Sequence, residues 1–505
     1  MIFSQFRTLA ATDRIAVHDG RNTLTFAQLW QRSEAIAAYL LRTQPGKKPV
    51  AIYGDKENDM LTAMLGAVKS GHPYVTVPSF YPETRIRDIL ADCDACAVLN
   101  PAPSPIPVGD LPVLSAAEID ALAAADTPPV PESAYAQPGD IICILYTSGS
   151  TGKPKGVLID YDNVVARIEH FGHQFKPVIE SGSSRTMQLA SYAFSASLPC
   201  VFGSMLYAGL TVYCVPKDIL QDAAALVTRM LDVQPHFLAF TPSLADRLMA
   251  DARFNAANIP SLRRVSFAGE ALSFRAVRAL RARFPQLTVT NSFGSTEATA
   301  SPFWCEITDE MMTAGEGYCP IEPANSSRGY LADDNGMPLT SDDAVGEIVF
   351  NYPTVSRGYL NRPALTEEKF FTDSFGKRAY KTGDIGEIRG GYLYFRGRKD
   401  NQVKIGGNRI ELEEVENHLR SIDIVANAAC AVKTLDNGTN LLVGFIVLKP
   451  CDLTHTQAFL HIKKMMKART ESHMIPTKLV FLEKLPLNDN RKLNRLALAD
   501  MVKEV

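Results

Sequence analysis

A loop rich in hydroxyl, glycine and lysine residues has the composition expected of a polyphosphate-binding site. It follows the apolar run Ile141 to Leu145, which predicts a buried strand. Glycines let backbone N–H groups wrap around an anion, and hydroxyls and lysines add donors and positive charge. We therefore expect a phosphate-binding loop made of four hydroxyls, three glycines and two lysines: Thr147, Ser148, Gly149, Ser150, Thr151, Gly152, Lys153, Lys155 and Gly156.

Pro154 distinguishes this loop from the common phosphate loop of ATPases. That loop ends in Gly-Lys-Ser/Thr and opens a helix, whereas here Lys153 is followed by proline. A polar surface turn is the alternative interpretation of the same residues.

Other segments occur in the order found in the adenylate-forming superfamily, which includes acyl-CoA synthetases, luciferases and peptide-synthetase adenylation domains. Besides the phosphate loop, the chain resembles this family at Leu24 to Phe26, Lys69 to Tyr74, Asn291 to Glu297, Tyr380 to Asp384, Phe395 to Asp400, Lys404 to Glu411 and Pro486 to Lys492. The resemblance covers nearly the whole chain. Within the family, the segments Ala268 to Leu272 and Arg409 to Glu416 are most similar to those of stand-alone D-alanine–D-alanyl carrier protein ligases and amino-acid adenylation domains.

The resemblance implies an ATP-dependent ligase that works in two steps. A carboxylate attacks the α-phosphate of ATP and releases pyrophosphate, and a thiol then attacks the acyl-adenylate and releases AMP. The first step brings a carboxylate towards a highly negative triphosphate, so it needs cations and alignment more than a base. ATP and Mg²⁺ are therefore the expected cofactors.

The same resemblance assigns residues to the nucleotide. Glu297 would bind Mg²⁺, because a hard cation held by phosphates suits one carboxylate. Asp384 would accept the ribose hydroxyls with help from Arg398. Lys492 would contact both the substrate carboxylate and the α-phosphate. The resemblance thus assigns the catalytic roles to Lys492, Glu297 and Thr147. Further nucleotide contacts are expected from Gly269, Glu270, Ala271, Asn291, Ser292, Phe293, Gly294 and Thr296, with Phe293 against the adenine.

Lys492 lies in the small domain, whereas the phosphate loop lies in the large domain. In the family that this chain resembles, the small domain rotates between the two steps and so brings the lysine to the nucleotide. We expect Asp400 to be the hinge, since a few loop residues can absorb such a rotation. Gly406 and Gly407 would then face the thiol tunnel. Relatives usually have Gly before the lysine, whereas this chain has Arg491.

The substrate pocket departs from the pattern of amino-acid adenylating relatives. These usually carry an Asp that pairs with the substrate's α-ammonium, and the corresponding residue here is Ser195. A buried ammonium without a counter-charge is costly, so the departure counts against an ordinary α-amino acid. Aryl, hydroxy, short-chain acyl and β-amino acids remain candidate substrates. The pocket residues assigned by the motifs are Ser195, Ala196, Pro199, Ala239, Ser266, Ala268, Ser292 and Ser301.

Length and pattern predict an α/β protein with a large, multi-subdomain N-terminal domain of layered α/β sheets and a small, mobile C-terminal α+β domain. A chain of 505 residues is too long for one ordinary core, and we expect the division at residues 1–399 and 400–505. Alternating helix and strand patterns support the layered architecture. They are Phe26 to Leu41, Val50 to Tyr53, Asn58 to Ser70, Tyr74 to Val77, Leu210 to Val215 and Leu262 to Phe267, then Glu411 to Leu419, Ala428 to Val432, Leu441 to Leu448 and Thr456 to Ala468. Residues 101–138 predict a surface linker, and residues 333–346 a hairpin loop.

Composition restricts the partners. A net charge of −3 argues against general nucleic-acid binding, and the apolar runs are too short to span a membrane. No signal-peptide pattern opens the chain, so a cytoplasmic location is expected. The 13 residues from Leu493 to Val505 are too few for a carrier domain, so we expect a separate carrier protein to accept the acid. An acyl- or aryl-CoA ligase is the first alternative, and a nucleotide-binding regulator without ligase activity is the second.

Overall fold

The computed structural model describes residues 2–125, 127–147, 154–179, 184–314, 317–399, 402–435, 438–450, 453–486 and 493–504. The helices are α1 (Ser4–Ala10), α2 (Phe26–Thr43), α3 (Asn58–Lys69), α4 (Glu83–Cys93), α5 (Ala116–Ala124), α6 (Tyr161–Ile179), α7 (Lys217–Gln221), α8 (Ala223–Val233), α9 (Pro242–Met249), α10 (Phe274–Arg283), α11 (Asp309–Ala314), α12 (Pro363–Lys369), α13 (Leu412–Arg420), α14 (His455–Lys467) and α15 (Arg495–Glu504).

The strands are β1 (Ile15–His18), β2 (Thr23–Thr25), β3 (Val50–Gly54), β4 (Tyr74–Pro78), β5 (Ala97–Asn100), β6 (Val113–Ser115), β7 (Ile141–Thr147), β8 (Lys155–Asp160), β9 (Arg185–Gln188), β10 (Thr211–Cys214), β11 (Phe237–Phe240), β12 (Arg264–Phe267), β13 (Thr288–Ser295), β14 (Ala300–Glu306), β15 (Glu322–Pro323), β16 (Gly329–Ala332), β17 (Pro338–Leu339), β18 (Val345–Phe350), β19 (Phe370–Thr372), β20 (Arg378–Arg389), β21 (Tyr392–Arg398), β22 (Gln402–Ile405), β23 (Asn408–Glu411), β24 (Val425–Thr434), β25 (Asn440–Leu448) and β26 (Lys478–Phe481).

Three large sheets form the N-terminal part of the α/β protein. A six-stranded sheet has the order β6-β5-β3-β4-β7-β8, and an eight-stranded sheet has the order β14-β13-β12-β11-β9-β10-β1-β2. The third sheet has seven strands, in the order β15-β21-β20-β18-β16-β17 with β19 beside β20. Strands β9, β11, β12 and β13 run parallel. Their carboxyl ends therefore meet at one edge, where open α/β sheets bind their ligands.

A smaller three-stranded sheet, β24-β25-β26, forms the C-terminal part with its own apolar core on each face. Side chains alternate along its strands, so Cys430 packs on the face that carries α13 and α14, and Ala431 packs on the face that carries α15. The hairpin β22–β23 belongs to the first face through Ile410. The predicted large and small domains are thus present, although residues 400–401 lie outside the described residues and the boundary stays a prediction.

The predicted elements agree with the structure to within one or two residues, except in the segment 101–138 and in β24, which begins three residues before the predicted Ala428. The prediction of a plain surface linker there is wrong, because β6 and α5 lie within it. Ser115 accepts from the backbone N–H of Glu118 while the Glu118 carboxylate accepts from the N–H of Ser115, which forms a capping box. Pro and Ala content hid this short strand and helix. The hairpin predicted at 333–346 likewise contains the short strand β17.

No helix in the described part of the chain is both long and apolar enough to cross a bilayer. The eight cysteines in that part are free thiols, and Cys93 is buried while its neighbour Cys96 is half-buried.

A buried ion pair connects α2, α3 and the segment before β7. The Lys69 ammonium lies 2.7 Å from Glu34 Oε1 and 3.4 Å from the ring centroid of Trp30. Glu34 also accepts from the Tyr135 hydroxyl at 2.6 Å and from the backbone N–H of Val130 at 2.7 Å. Burial lowers the pKa of Lys69 to about 8 despite this carboxylate. The ammonium therefore depends on Glu34 for its charge.

Glu34→Gln should lower the free energy of unfolding by about 3–5 kcal/mol, because it leaves a buried ammonium without a counter-charge. Denaturant unfolding followed by tryptophan fluorescence measures the loss, since Trp30 packs on the ammonium. The control is Glu132→Gln, which removes an exposed carboxylate paired with the exposed Arg7 and should cost less than about 1 kcal/mol. Equal losses in the two variants would contradict a special role for Glu34.

Candidate functional site

The end of the predicted phosphate loop lies beside Glu297. Thr147 and Lys155 are paired across the antiparallel strands β7 and β8. The Thr147 hydroxyl is buried and has no hydrogen-bond partner among the described residues. The Lys155 ammonium lies 5.1 Å from the ring centroid of Tyr359, and the Tyr359 hydroxyl donates to Glu297 Oε1 at 2.8 Å. Tyr359 thus connects the phosphate-loop strands to the predicted magnesium ligand.

Glu297 is completely buried in a single helical turn, Thr296–Ala298, that packs against β8. Its backbone carbonyl accepts from the N–H of Ser356 at 2.8 Å, so both its main chain and its side chain are fixed. Tyr359 was missed by sequence reasoning. Its only signal is a Gly-Tyr pair followed by Pro363, which predicts a turn rather than a ligand contact.

Several predicted site residues lie outside the described residues. These are Ser148, Gly149, Ser150, Thr151, Gly152 and Lys153 of the phosphate loop, the hinge residue Asp400, and Lys492. Their roles stay predictions, and only the residues that flank them locate their segments.

The oxygen donors near the phosphate loop fit a hard cation. Mg²⁺ at nucleotide sites typically takes one or two carboxylates and completes its shell with phosphate and water oxygens. The Glu297 carboxylate and the unpartnered Thr147 hydroxyl supply oxygens of this kind on neighbouring elements. Among the described residues, no three His, Cys, Asp or Glu side chains converge into an all-protein metal site.

The predicted adenine segment begins within β13 and continues into the helical turn after it, and its residues in the strand are tightly packed. Asn291 donates from its amide to the carbonyl of Pro320 at 2.9 Å and so fixes the neighbouring loop. Phe293 is 8% exposed and packs among aromatic rings, with Phe395 centred 5.6 Å away. A Cβ on Gly294 would lie 2.1 Å from the carbonyl oxygen of Ala300, so only glycine fits this backbone crossing.

Asp384 and Arg398 are brought together at the edge of the seven-stranded sheet. They face each other across β20 and β21, and Arg398 Nη1 lies 2.5 Å from Asp384 Oδ1. The N–H of Asp384 donates to the Thr382 hydroxyl at 2.9 Å. The two residues assigned to the ribose therefore form one fixed, largely buried unit.

Glu270 has a structural partner that the sequence did not predict. Its two carboxylate oxygens accept from the N–H and the hydroxyl of Ser243, each at 2.9 Å, at the start of α9. This places negative charge at a helix N-terminus, where it is favourable. Gly269 and Ala271 flank it in the loop after β12, with Gly269 in the left-handed region at φ +90°.

The predicted substrate-pocket residues gather at the carboxyl edge of the eight-stranded sheet. Ala239 is exposed although it lies in the central strand β11, so an open cleft lies over it. Ser266 and Ser292 on the adjacent strands share a hydrogen bond of 2.9 Å between their hydroxyls. Ser195 lies 3.2 Å from the Thr296 hydroxyl, oxygen to oxygen. Ala196, Pro199, Ala268 and Ser301 lie on the segments beside them.

The glycine pair of the small domain reaches into this site. A Cβ on Gly269 would lie 3.1 Å from the Cα of Gly407, and a Cβ on Gly407 would lie 2.6 Å from Thr241 Cγ2. Beside them, the Lys404 ammonium lies 5.0 Å from the ring centroid of Phe293. The hairpin β22–β23 therefore closes over the large domain's site at glycines that leave room for little else.

The described residues on either side of Lys492 lie on the opposite face of the small sheet. Leu485 and Leu493, on either side of it, pack with α15 against the face that points away from the hairpin. The face that carries the hairpin is held on the large domain by Arg85 of α4. Its guanidinium lies 2.7 Å from Glu471 and 3.9 Å from Glu414, and it stacks on Tyr81 at 5.1 Å.

Sequence and structure comparisons agree with this arrangement. Residues 6–360 match the AMP-binding enzyme family, and residues 414–492 match the AMP-binding enzyme C-terminal domain. A D-alanine–D-alanyl carrier protein ligase of Listeria welshimeri is 35% identical over 482 residues, which are 94% of this chain and 93% of the relative.

Two solved structures show the same fold. An NRPS protein containing adenylation and PCP domains has a TM-score of 0.81 at 24% identity, covering 99% of this chain and 84% of that one. The o-succinylbenzoate CoA synthetase of Bacillus subtilis has a TM-score of 0.80 at 22% identity, covering 98% of each chain. The extent of the family match and the 35% identity over nearly the full length settle the affiliation: the chain belongs to the AMP-binding enzyme family.

Proposed function

We propose that this chain is an AMP-forming ligase that adenylates a small carboxylic acid with Mg·ATP and transfers it to the phosphopantetheine thiol of a separate carrier protein. The ligase from Listeria welshimeri is named for a carrier-protein reaction, which supports this acceptor. We place the reaction in the cytoplasm, where ATP and carrier proteins meet.

The position of the hairpin β22–β23 is the observation that carries the proposal. Gly407 and Gly269 approach each other closely where the hairpin meets the cleft, and a Cβ on either would lie within 3.1 Å of a neighbouring atom. Because glycine also lets a backbone lie close to a narrow ligand, we infer that a pantetheine arm reaches the acyl-adenylate alongside this contact. This arrangement suits the thiol step. The adenylation step requires Lys492 to arrive from the other face of the small sheet.

The nucleotide roles follow from the fixed units of the large domain. Lys155 and the Thr147 hydroxyl would hold phosphate oxygens, and Glu297 would hold Mg²⁺, which supplies positive charge to the triphosphate when bound. Asp384, oriented by Arg398, would accept from the ribose hydroxyls. Tyr359 positions Glu297 through its 2.8 Å hydrogen bond. Lys492 would then compensate the charge that develops at the α-phosphate.

A CoA ligase is the second candidate, because the same glycine pair suits the pantetheine arm of CoA. A nucleotide-binding regulator is less well supported, since the chain retains Lys492 together with Asp384 and with Glu297, which Tyr359 holds in a fixed position.

AMP formation in the presence of an acid and a thiol tests the function. With Mg·ATP and a mixed panel of acids, we expect pyrophosphate release that needs an acid and AMP release that accelerates with holo-carrier protein. Faster AMP release with CoA than with any holo-carrier would favour the second candidate. Nucleotide binding without pyrophosphate or AMP from any acid would contradict a ligase.

Lys492→Ala should reduce ATP–pyrophosphate exchange by at least about 100-fold, because a cation at the α-phosphate is lost. Thioester formation from a preformed acyl-adenylate should change less than about threefold, since Lys492 is then remote from the site. The neighbouring variant Arg491→Ala is the matched control and should retain most of the exchange activity. An equal loss of both steps in Lys492→Ala would contradict the assignment of Lys492 to the adenylation step.

Arg85→Gln should slow the thiol step selectively, by about tenfold or more, because it leaves the buried Glu471 and Glu414 without their cation and destabilises the arrangement seen here. Single-turnover rates of adenylation and of thioester formation measure the two steps separately. Arg87→Gln on the same helix is the control, since Arg87 is exposed and pairs with Glu83 one turn away. An equal slowing of both steps would show that Arg85 merely supports the fold.

A further inference from the structure

The wall of the substrate cleft presents paired hydroxyls. Ser195 shares a hydrogen bond with Thr296, and Ser266 shares one with Ser292. The Ser295 hydroxyl, next to Thr296, is buried without a partner among the described residues. Because a hydroxyl both donates and accepts, this wall can exchange hydrogen bonds with another hydroxyl but offers no fixed charge.

Two basic side chains, Lys56 and Arg167, contact the segments that form this wall. Lys56 lies under the segment that leads to Ser195, where its ammonium donates to the carbonyl of Ala190 and lies 4.8 Å from the ring centroid of Tyr192. Burial lowers the pKa of Lys56, and neighbouring Asp55 opposes this shift. On the other side, Arg167 Nη1 donates to the carbonyl of Ser301 at 2.5 Å.

The carboxylates nearest to the cleft are engaged elsewhere. Glu297 accepts from Tyr359 on the phosphate side, and both oxygens of Glu270 accept from Ser243. Asp55 follows β3 beside Lys56 and interacts electrostatically with Lys56 and Lys217. Among the described residues, an ammonium bound next to Ser195 would therefore lose its hydration without gaining an uncommitted anion, which is costly.

We propose that the acid is a hydroxy acid without an amino group, whose hydroxyl hydrogen-bonds to the Ser195–Thr296 hydroxyl pair while its carboxylate faces the nucleotide. This inference rests on the proposed function and names the substrate class of the same site. In the reaction, a carboxylate oxygen forms the bond to the α-phosphorus and pyrophosphate leaves, so the hydroxyl itself does not react. The substrate of this chain would then carry a hydroxyl beside its carboxylate, where the D-alanine in the names of the relatives carries an amino group.

Isosteric pairs of acids test the proposal on the wild-type protein. D-lactate and D-alanine, L-lactate and L-alanine, and glycolate and glycine each differ only in a hydroxyl or an ammonium. In ATP–pyrophosphate exchange, we expect at least one hydroxy acid to exceed its amino partner by about 100-fold or more in kcat/KM. Equal or better use of the amino partner in every pair would overturn the proposal while leaving the ligase function intact. Absence of exchange and of AMP with every acid class would overturn both.

Ser195→Asp and Ser195→Asn form a matched pair that isolates charge from size. The aspartate supplies an anion for an ammonium, so it should raise kcat/KM for the alanine partner and lower that for the hydroxy acid, each by about tenfold or more. The asparagine should lower hydroxy-acid use without a gain for alanine. Thermal unfolding verifies that both variants fold. If kcat/KM for the two acids changed by the same factor in both folded variants, Ser195 would not set the specificity.

Discussion

A small sheet has two faces, and only one of them can meet the large domain at a time. In this structure the hairpin β22–β23 and α13 occupy the face that covers the cleft, while the residues flanking Lys492 pack on the other face. Side chains alternate along each strand, so no local adjustment can exchange the two faces. One site can therefore serve both steps of the proposed reaction only if the small domain turns as a unit, and Arg85 defines the contact that such a turn must break.

The large domain supplies the parts that stay fixed. Parallel strands bring the cleft residues to one edge, the antiparallel pair β7–β8 positions the phosphate-loop ends, and Tyr359 joins them to Glu297. Asp384 and Arg398 are paired across neighbouring strands of the third sheet. Each of these units is held by contacts within the large domain, so the nucleotide site can persist while the small domain changes its face.

Sequence reasoning predicted the architecture and most helices and strands well, because strands such as β3 are short apolar runs and helices such as α2 carry apolar periodicity and a capping signal. It failed at residues 101–138, where a short strand and an Ala-rich helix lie within a segment rich in Pro. It also missed Tyr359 and Arg85, because each acts through a partner far away in the chain: Glu297 for the tyrosine and Glu471 for the arginine. Ser195 was visible in the sequence as a departure from the family pattern. The structure adds its hydroxyl partner Thr296 and the buried Lys56 nearby, which together support the proposed substrate class.

The distance between the two domains tests the alternation of faces most directly. Asp88 of α4 and Leu460 of α14 are both exposed and lie on elements that flank the interface. Spin labels can be attached at these two positions through unnatural amino acids. Pulsed electron resonance should show one short distance for the protein as described here, and Mg·ATP with an unreactive acid analogue should populate a second, distinct distance. An acyl-adenylate mimic that carries a pantetheine arm should restore the first. A single distance unchanged by either ligand would contradict the account.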